Sequence, residues 1–506
     1  MAFFAVALII PLVSFGMRGA GSATEFWGAF ANSYNLERLF WSLQGAFYTL
    51  VCCLALGIPL SYVLARFEFM GKDLLLRFLL LPFVIPAPVA ALGWLALFGA
   101  QGLLGIDLRE TLVLVLLGNI FYNLPLCVRF LHAGFLRVDQ RQLEVARLMG
   151  LSRSRIFVQC EWPTLKPAVG AAASLTFLYV FSSLGLPLLL GGNAYATLEV
   201  RIYSLVSYQL RLGEASALVA LEGLVALVLV ALYLGFQRQR PAVQGWVPIK
   251  AKRPVKWQVL SVWGSVCLLW MALFAPLLCV VYKGFKGSEG LTVAFYESLW
   301  NRDDHLPLLD LLTHSLAFGF LGLTGALGVA LLQAYVIGRS RKPFWIEMLG
   351  FLPLVVSPVG LSVGYLVSYP KWQASLGMLG LAYTLFAYPI FLRTVLPALR
   401  NVSPSLRDAA RSLGCSSVQS VRRVTWPLVQ SAFRTGLALA LATIFGEFAA
   451  SLVLQRPEWA TLTLGIYERL GRPGEQNLGE AFALASVLLC LTVLCFSAID
   501  ARSEIK

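Results

Sequence analysis

Apolar runs of about 20 residues, the length at which a helix crosses the hydrocarbon core of a bilayer, follow one another along this sequence with only brief polar interruptions. Twelve spans are predicted, near residues 2–16, 45–65, 74–100, 111–131, 168–191, 216–237, 259–282, 315–338, 344–369, 378–397, 434–454 and 479–499. They leave little polar surface: of 506 residues, 58% are hydrophobic and 13% charged, with a mean hydropathy of +0.75. Ordinary soluble domains carry about 25% charged residues, so a soluble enzyme, a disordered chain and a small disulfide scaffold are all excluded. The first span is short and opens on Met1 without a basic flank, which favours a shortened helix over a signal peptide. The nine cysteines form no C-x-x-C pair and read as small hydrophobes.

The net charge of +14 is explained by where the cations lie. With Met1 in the cytoplasm, 27 of the 40 Lys and Arg residues fall in cytoplasmic segments and 12 on the opposite side. That is the positive-inside bias, and it needs no nucleic acid. Both termini are then expected to be cytoplasmic.

The chain also repeats itself. At an offset of 264 residues, Pro125 meets Pro389, Arg129 meets Arg393, Gly150 meets Gly414, Trp162-Pro163 meets Trp426-Pro427, and Ile202-Tyr203 meets Ile466-Tyr467. Earlier in each half the offset is 273, as in Arg66 and Arg339. Six spans return a chain to its starting side, so the expected fold is an all-α membrane protein of two parallel six-helix repeats with a pathway at their interface. The expected boundaries are 1–237 for the first half, 238–258 for a basic linker and 259–506 for the second half.

Two polar loops of about 35 residues, each far longer than an ordinary helix connection, separate spans 4 and 5 and spans 10 and 11. Each reads as two short helices meeting at a glycine, Gly150 or Gly414. Asp139 with Gln142 approximates a capping box in the first, Ser403 with Pro404 opens the second, and Ser152 and Ser416 can cap the helices that follow. Apolar residues at Leu143, Leu148 and Met149, or at Leu406, Ala410 and Leu413, suit docking into a groove of another protein. Amphipathic helices resting on anionic lipid are the competing reading, but lipid does not require the same glycine and Trp-Pro at matching distances twice.

An acidic residue, an alanine, a glycine and a closing proline in this order resemble the EAA loop of binding-protein-dependent ABC importer permeases. The resemblance places the coupling residues at Glu144, Ala146 and Gly150, and at Asp408, Ala409, Ala410 and Gly414. Val145, Asp408 and the two tryptophans depart from the commonest pattern. In that family the loop is a coupling helix seated in a cleft of a cytoplasmic ATPase. The match extends over nearly the whole chain, since the twelve-span duplication is similar to the fused permeases of thiamine and ferric-iron importers.

Ionisable residues within spans are costly and are therefore site candidates. Glu447, flanked by Phe445 and Phe448, is the clearest; its repeat position is Ser183, so a pathway through these residues is asymmetric. A buried carboxylate bonded to neighbouring helices is the alternative for Glu447, and packing roles are favoured for Glu222 and Gln333. Pro82, Pro86 and Pro88, with Pro353 and Pro358, are expected to break spans 3 and 9 at comparable places, as in cavity-lining helices. His132, His305 and His314 have no partner at ligand spacing, so no metal site is expected.

The resemblance implies a permease that catalyses no chemistry. No G-x-x-x-x-G-K-[ST] loop occurs, so ATP and Mg are expected on two copies of a separate ATPase, with no cofactor in this chain. Solute would come from a periplasmic or surface-tethered binding protein, across a bacterial inner membrane. Gly191-Gly192-Asn193, Ala196-Thr197-Leu198-Glu199 and Phe121-Tyr122-Asn123-Leu124-Pro125 look most like thiamine permeases; ferric iron is the alternative, and a secondary transporter is a rival class disfavoured by the single prominent acid.

Overall fold

The computed structural model describes residues 2–21, 23–79, 81–238, 247, 249, 251–300, 306–340, 343–372, 375–454 and 456–500. Part of the expected linker and His305 lie outside them. The chain is almost entirely helical. Among the described residues, nine helices are long and apolar enough to cross a bilayer unbroken, and two bent pairs, Ala5–Ala20 with Ala23–Ala31 and Lys72–Val84 with Ala87–Phe98, can each supply one more. The remaining expected span is assembled from Pro343–Leu349 and Pro358–Ser368, giving about twelve in all.

Local chemistry explains where these helices start and break. Asn32 opens Ser33–Arg66 by accepting the Tyr34 amide at 3.0 Å, and Thr111 opens Leu112–Phe135 by accepting from Leu114. These side chains satisfy amides that a helix start leaves unpaired. The proline clusters act as expected. Lys72–Val84 and Ala87–Phe98 meet at 103° around Pro86. In the second half, the chain passes through a short tight turn at Leu352–Leu354 before Ser357 caps Pro358–Ser368 through the Gly360 amide at 2.9 Å.

Two compact units result, and they do not follow chain order. One comprises residues 22–83 and 90–280, the other 1–21, 84–89 and 281–506. The opening helix of each sequence half therefore packs within the other half's unit. In one unit, the Pro276 carbonyl lies where a side chain at Gly93 would begin, 2.7 Å from an ideal Cβ. In the other, the Pro11 carbonyl stands 2.6 Å from the corresponding point on Gly364. Only glycine permits that approach of two backbones, and close contact of this kind holds membrane helices together where burial from water supplies no force.

Each unit also contains a buried polar knot. In the first, Glu214 accepts from Asn35 at 2.6 Å, Asn32 at 2.9 Å and Arg201 at 3.2 Å, and forms an ion pair with Arg211 at 2.8 Å. In the second, Glu480 accepts from Arg469 at 2.9 Å, Ser298 at 2.9 Å and Gln476 at 3.2 Å. Both knots tie the start of a half's last helix to the short helix before it. Several donors per carboxylate are what a buried charge requires.

Candidate functional site

The two long loops fold alike. Asp139 caps Gln140–Leu148 by accepting the Arg141 amide at 3.0 Å, a single bond in place of the expected capping box with Gln142. Ser403 caps Pro404–Ser412 through the Ser405 amide at 3.3 Å, with Pro404 at the first helical position. Gly150 and Gly414 end these helices at φ of +76° and +83°, the left-handed conformation that glycine adopts without strain. Ser416 then forms a full capping box with Gln419, whereas Ser152 has the cap backbone conformation but makes no side-chain bond.

Sequence reasoning missed the next feature. Phe157–Glu161 and Val421–Thr425 are wide π-type turns at matching repeat positions, each running directly into Trp-Pro. The proline supplies the cause: Pro163 and Pro427 lack an amide hydrogen, and their rings crowd the carbonyl four residues back, so the preceding turn widens. Loop and membrane helix are thus joined through a built irregularity twice over.

Each loop helix has two apolar aspects. Leu143, Ala146 and Ala410 are buried beneath their helices. On the outer aspect Leu148 is 88% exposed, Met149 74% and Leu413 85%, with Val145 and Leu406 beside them. The acids lie on the outer aspect too. Glu144 is exposed and accepts from Gln140 at 2.7 Å, Asp408 is exposed 4.0 Å from Arg411, and Ala409 is exposed next to it. Large apolar side chains at the tips, rimmed by charge, make an exposed patch of the kind that suits docking to another protein. Of the residues expected to face a partner, Leu143, Ala146 and Ala410 instead hold the helices down.

Glu447 has a structural task. It sits between Trp426–Gly446 and Ala449–Leu454, and its carboxylate accepts the Ala450 amide at 2.9 Å, capping the second helix. Phe445 and Phe448 are buried in the same unit, Phe445 against Gly319 and Phe448 edge-on to Tyr467 at 5.4 Å. In the other unit, Ser183 lies at the matching break between Trp162–Phe181 and Gly185–Leu190, its carbonyl accepting from Thr197 at 2.8 Å. Gln333 donates to the Ile346 carbonyl at 2.6 Å, a packing role. Glu222 is buried with Glu199 and Ser182 among its polar neighbours, and among the described residues no group of three or more His, Cys, Asp or Glu is placed to hold a metal ion.

A further pair escaped the sequence reading. Arg66, at the end of Ser33–Arg66, donates to Glu161 at 2.7 Å with both side chains nearly buried, and its guanidinium stacks over Tyr62. It ties a membrane helix to the first π-type turn.

Comparison with known proteins agrees with this geometry. The chain is 24% identical over 500 residues to the thiamine transport system permease protein ThiP of Haemophilus influenzae, covering 94% of this chain and 90% of that one. It is 26% identical to ThiP of Escherichia coli, covering 93% and 89%. A probable ABC transporter permease protein, y4fN of Sinorhizobium fredii, is 23% identical over 86% of this chain and 81% of its own length. The family model for the inner membrane component of binding-protein-dependent transport systems matches twice, at residues 57–239 and 326–502, once over each repeat. Internal duplication, paired loops and repeated match together establish that this chain belongs to the family of binding-protein-dependent transport system inner membrane components.

Proposed function

We propose that the chain is a two-half permease of a thiamine importer, driven by separate ATPase subunits that bind ATP and Mg and seat one loop each. The observation that carries the reading is the doubled loop: two helices ended by left-handed glycines, tipped with exposed Leu148, Met149 and Leu413, and joined to membrane helices through matching π-type turns. A rigid tip on a membrane helix transmits motion to that helix. Closure of two ATPase subunits on ATP would pull both tips and switch the halves between outward and inward openings, with a binding protein delivering solute from the far side. Full-length relatives carrying the thiamine name support the choice of substrate.

The test is reconstitution of the chain with its ATPase and binding protein in vesicles. Radiolabelled thiamine uptake that requires ATP and all three components is the expected result. Uptake of ferric ion in place of thiamine would transfer the substrate to the iron class, and uptake without ATPase would overturn the reading.

A further inference from the structure

Two residues of the segment joining the two halves, Val247 and Ile249, lie against the first loop. The Gln140 amide donates to the Val247 carbonyl at 3.1 Å. Ile249 packs on Val138, Leu143, Ala146 and Ile156 beneath the short helix. Lys252 donates to the Arg66 carbonyl at 2.9 Å and accepts from the Glu68 amide at 3.0 Å, pairing with Phe67 as one strand residue pairs with another. Val247 and Arg253 each precede a proline in sequence, which confines both to extended backbone. Extended backbone presents its amides and carbonyls sideways, as an edge strand does.

The repeat turns these contacts into an argument. Gln140 is the first residue of its helix, where an amide has no partner within the helix and is available to the segment. Its repeat mate is Pro404, also the first residue of its helix, and proline has no amide to give. Leu143, buried under Ile249, has the exposed Arg407 as its mate. The first loop thus carries a donor and an apolar seat, and the second is covalently unable to form the same bond.

We propose that Val247, Ile249 and Lys252 form a strap that positions the first loop, so that two identical partner subunits meet loops of unequal stiffness. Its functional half rests on the reading of these loops as ATPase contacts; the strap itself does not. Gln140 and Ile249 are positioning residues. They hold the angle of Gln140–Leu148 and touch no solute.

The experiment uses the full chain assembled with its ATPase in nanodiscs, read by hydrogen exchange at residues 143–151 and 407–415. Gln140→Pro removes the donor while leaving a residue suited to a helix start, since Asp139 already has the extended conformation that precedes proline. Ile249→Asp removes the apolar seat. Gln140→Ala, which keeps the amide, and Ile249→Val are the conservative partners. Loss of one hydrogen bond predicts exchange about two- to tenfold faster at 143–151 in Gln140→Pro, a larger change in Ile249→Asp, parental behaviour at 407–415, and recovery in the conservative variants. Thiamine uptake per ATP hydrolysed should fall in the first two variants at normal assembly. Unchanged exchange at 143–151, or equal acceleration in both loops, overturns the strap. Faster exchange with an unchanged uptake-to-ATP ratio overturns its positioning role. Gly150→Pro and Gly414→Pro, run beside them, test the loops separately: normal uptake and assembly in both variants defeats the ATPase-contact reading and leaves the exchange result standing.

Discussion

Arg66 and Glu161 show how much one buried pair can govern. Their repeat mates are Arg339 and Thr425, so the first half alone places a carboxylate in the turn between loop and membrane helix. Removing one partner strands the other charge, at a cost of about 3–5 kcal/mol, whereas replacing both by apolar residues is often neutral. Arg66→Met should therefore lower the thermal midpoint of the purified chain, and Arg66→Met with Glu161→Leu should recover most of it. A double variant no better than the single one would show that the pair is worth more intact than its desolvation. Glu447 presents the opposite case, a carboxylate that accepts the amide of a helix start. Glu447→Gln keeps an oxygen for the Ala450 amide, so thiamine uptake per assembled complex should stay within about twofold of the parent if the cap is its main role. Glu447→Ala loses the cap and should destabilise by about 1 kcal/mol. A large uptake loss in the Gln variant at full assembly would assign the charge to the solute's path.

Among elements, the glycine-ended loop helices were legible in the sequence because a left-handed C-terminus selects glycine so strongly that two matching glycines suffice. The spans were legible for an equally simple reason, the length of chain that a bilayer demands. The π-type turns were not, since their cause is a local clash at Pro163 and Pro427 that leaves no period in the pattern. The buried knots around Glu214 and Glu480 were hidden because Asn35 and Ser298 reach them from far along the sequence, and the two acids do not keep the 264-residue register. Two predictions belong at this scale. Gly150→Pro and Gly414→Pro impose φ near −65° where +76° and +83° are needed; each should reduce uptake while the partner ATPase retains its basal hydrolysis, and normal uptake in both would remove the coupling role. Gly93→Ala and Gly364→Ala place a methyl group 2.7 and 2.6 Å from a proline carbonyl. The opening helix of the other half must move away, and a penalty of about 1–3 kcal/mol in each should appear as a lower thermal midpoint.

At the scale of the whole molecule, the two compact units each hold one long loop, and an even number of spans separates the loops in sequence. Both loops must therefore face the same side, and the distribution of 27 cations against 12 predicts that this side is the cytoplasm. The units can be tested one at a time. In the unit of residues 22–83 and 90–280, Val145 and Arg109 are exposed on loops separated by one span. In the other, Ala409 and Lys371 have the same relation. All nine cysteines are free thiols here, so a background in which each is replaced removes no disulfide. Single cysteines at 109 and 371 should react with a membrane-impermeant maleimide in intact spheroplasts, and those at 145 and 409 only after permeabilisation. Labelling of 145 and 409 in intact spheroplasts would invert the molecule and place the loops beyond reach of any cytoplasmic ATPase. Opposite answers from 145 and 409 would break the parallel repeat itself, because an even number of crossings cannot put them on different sides.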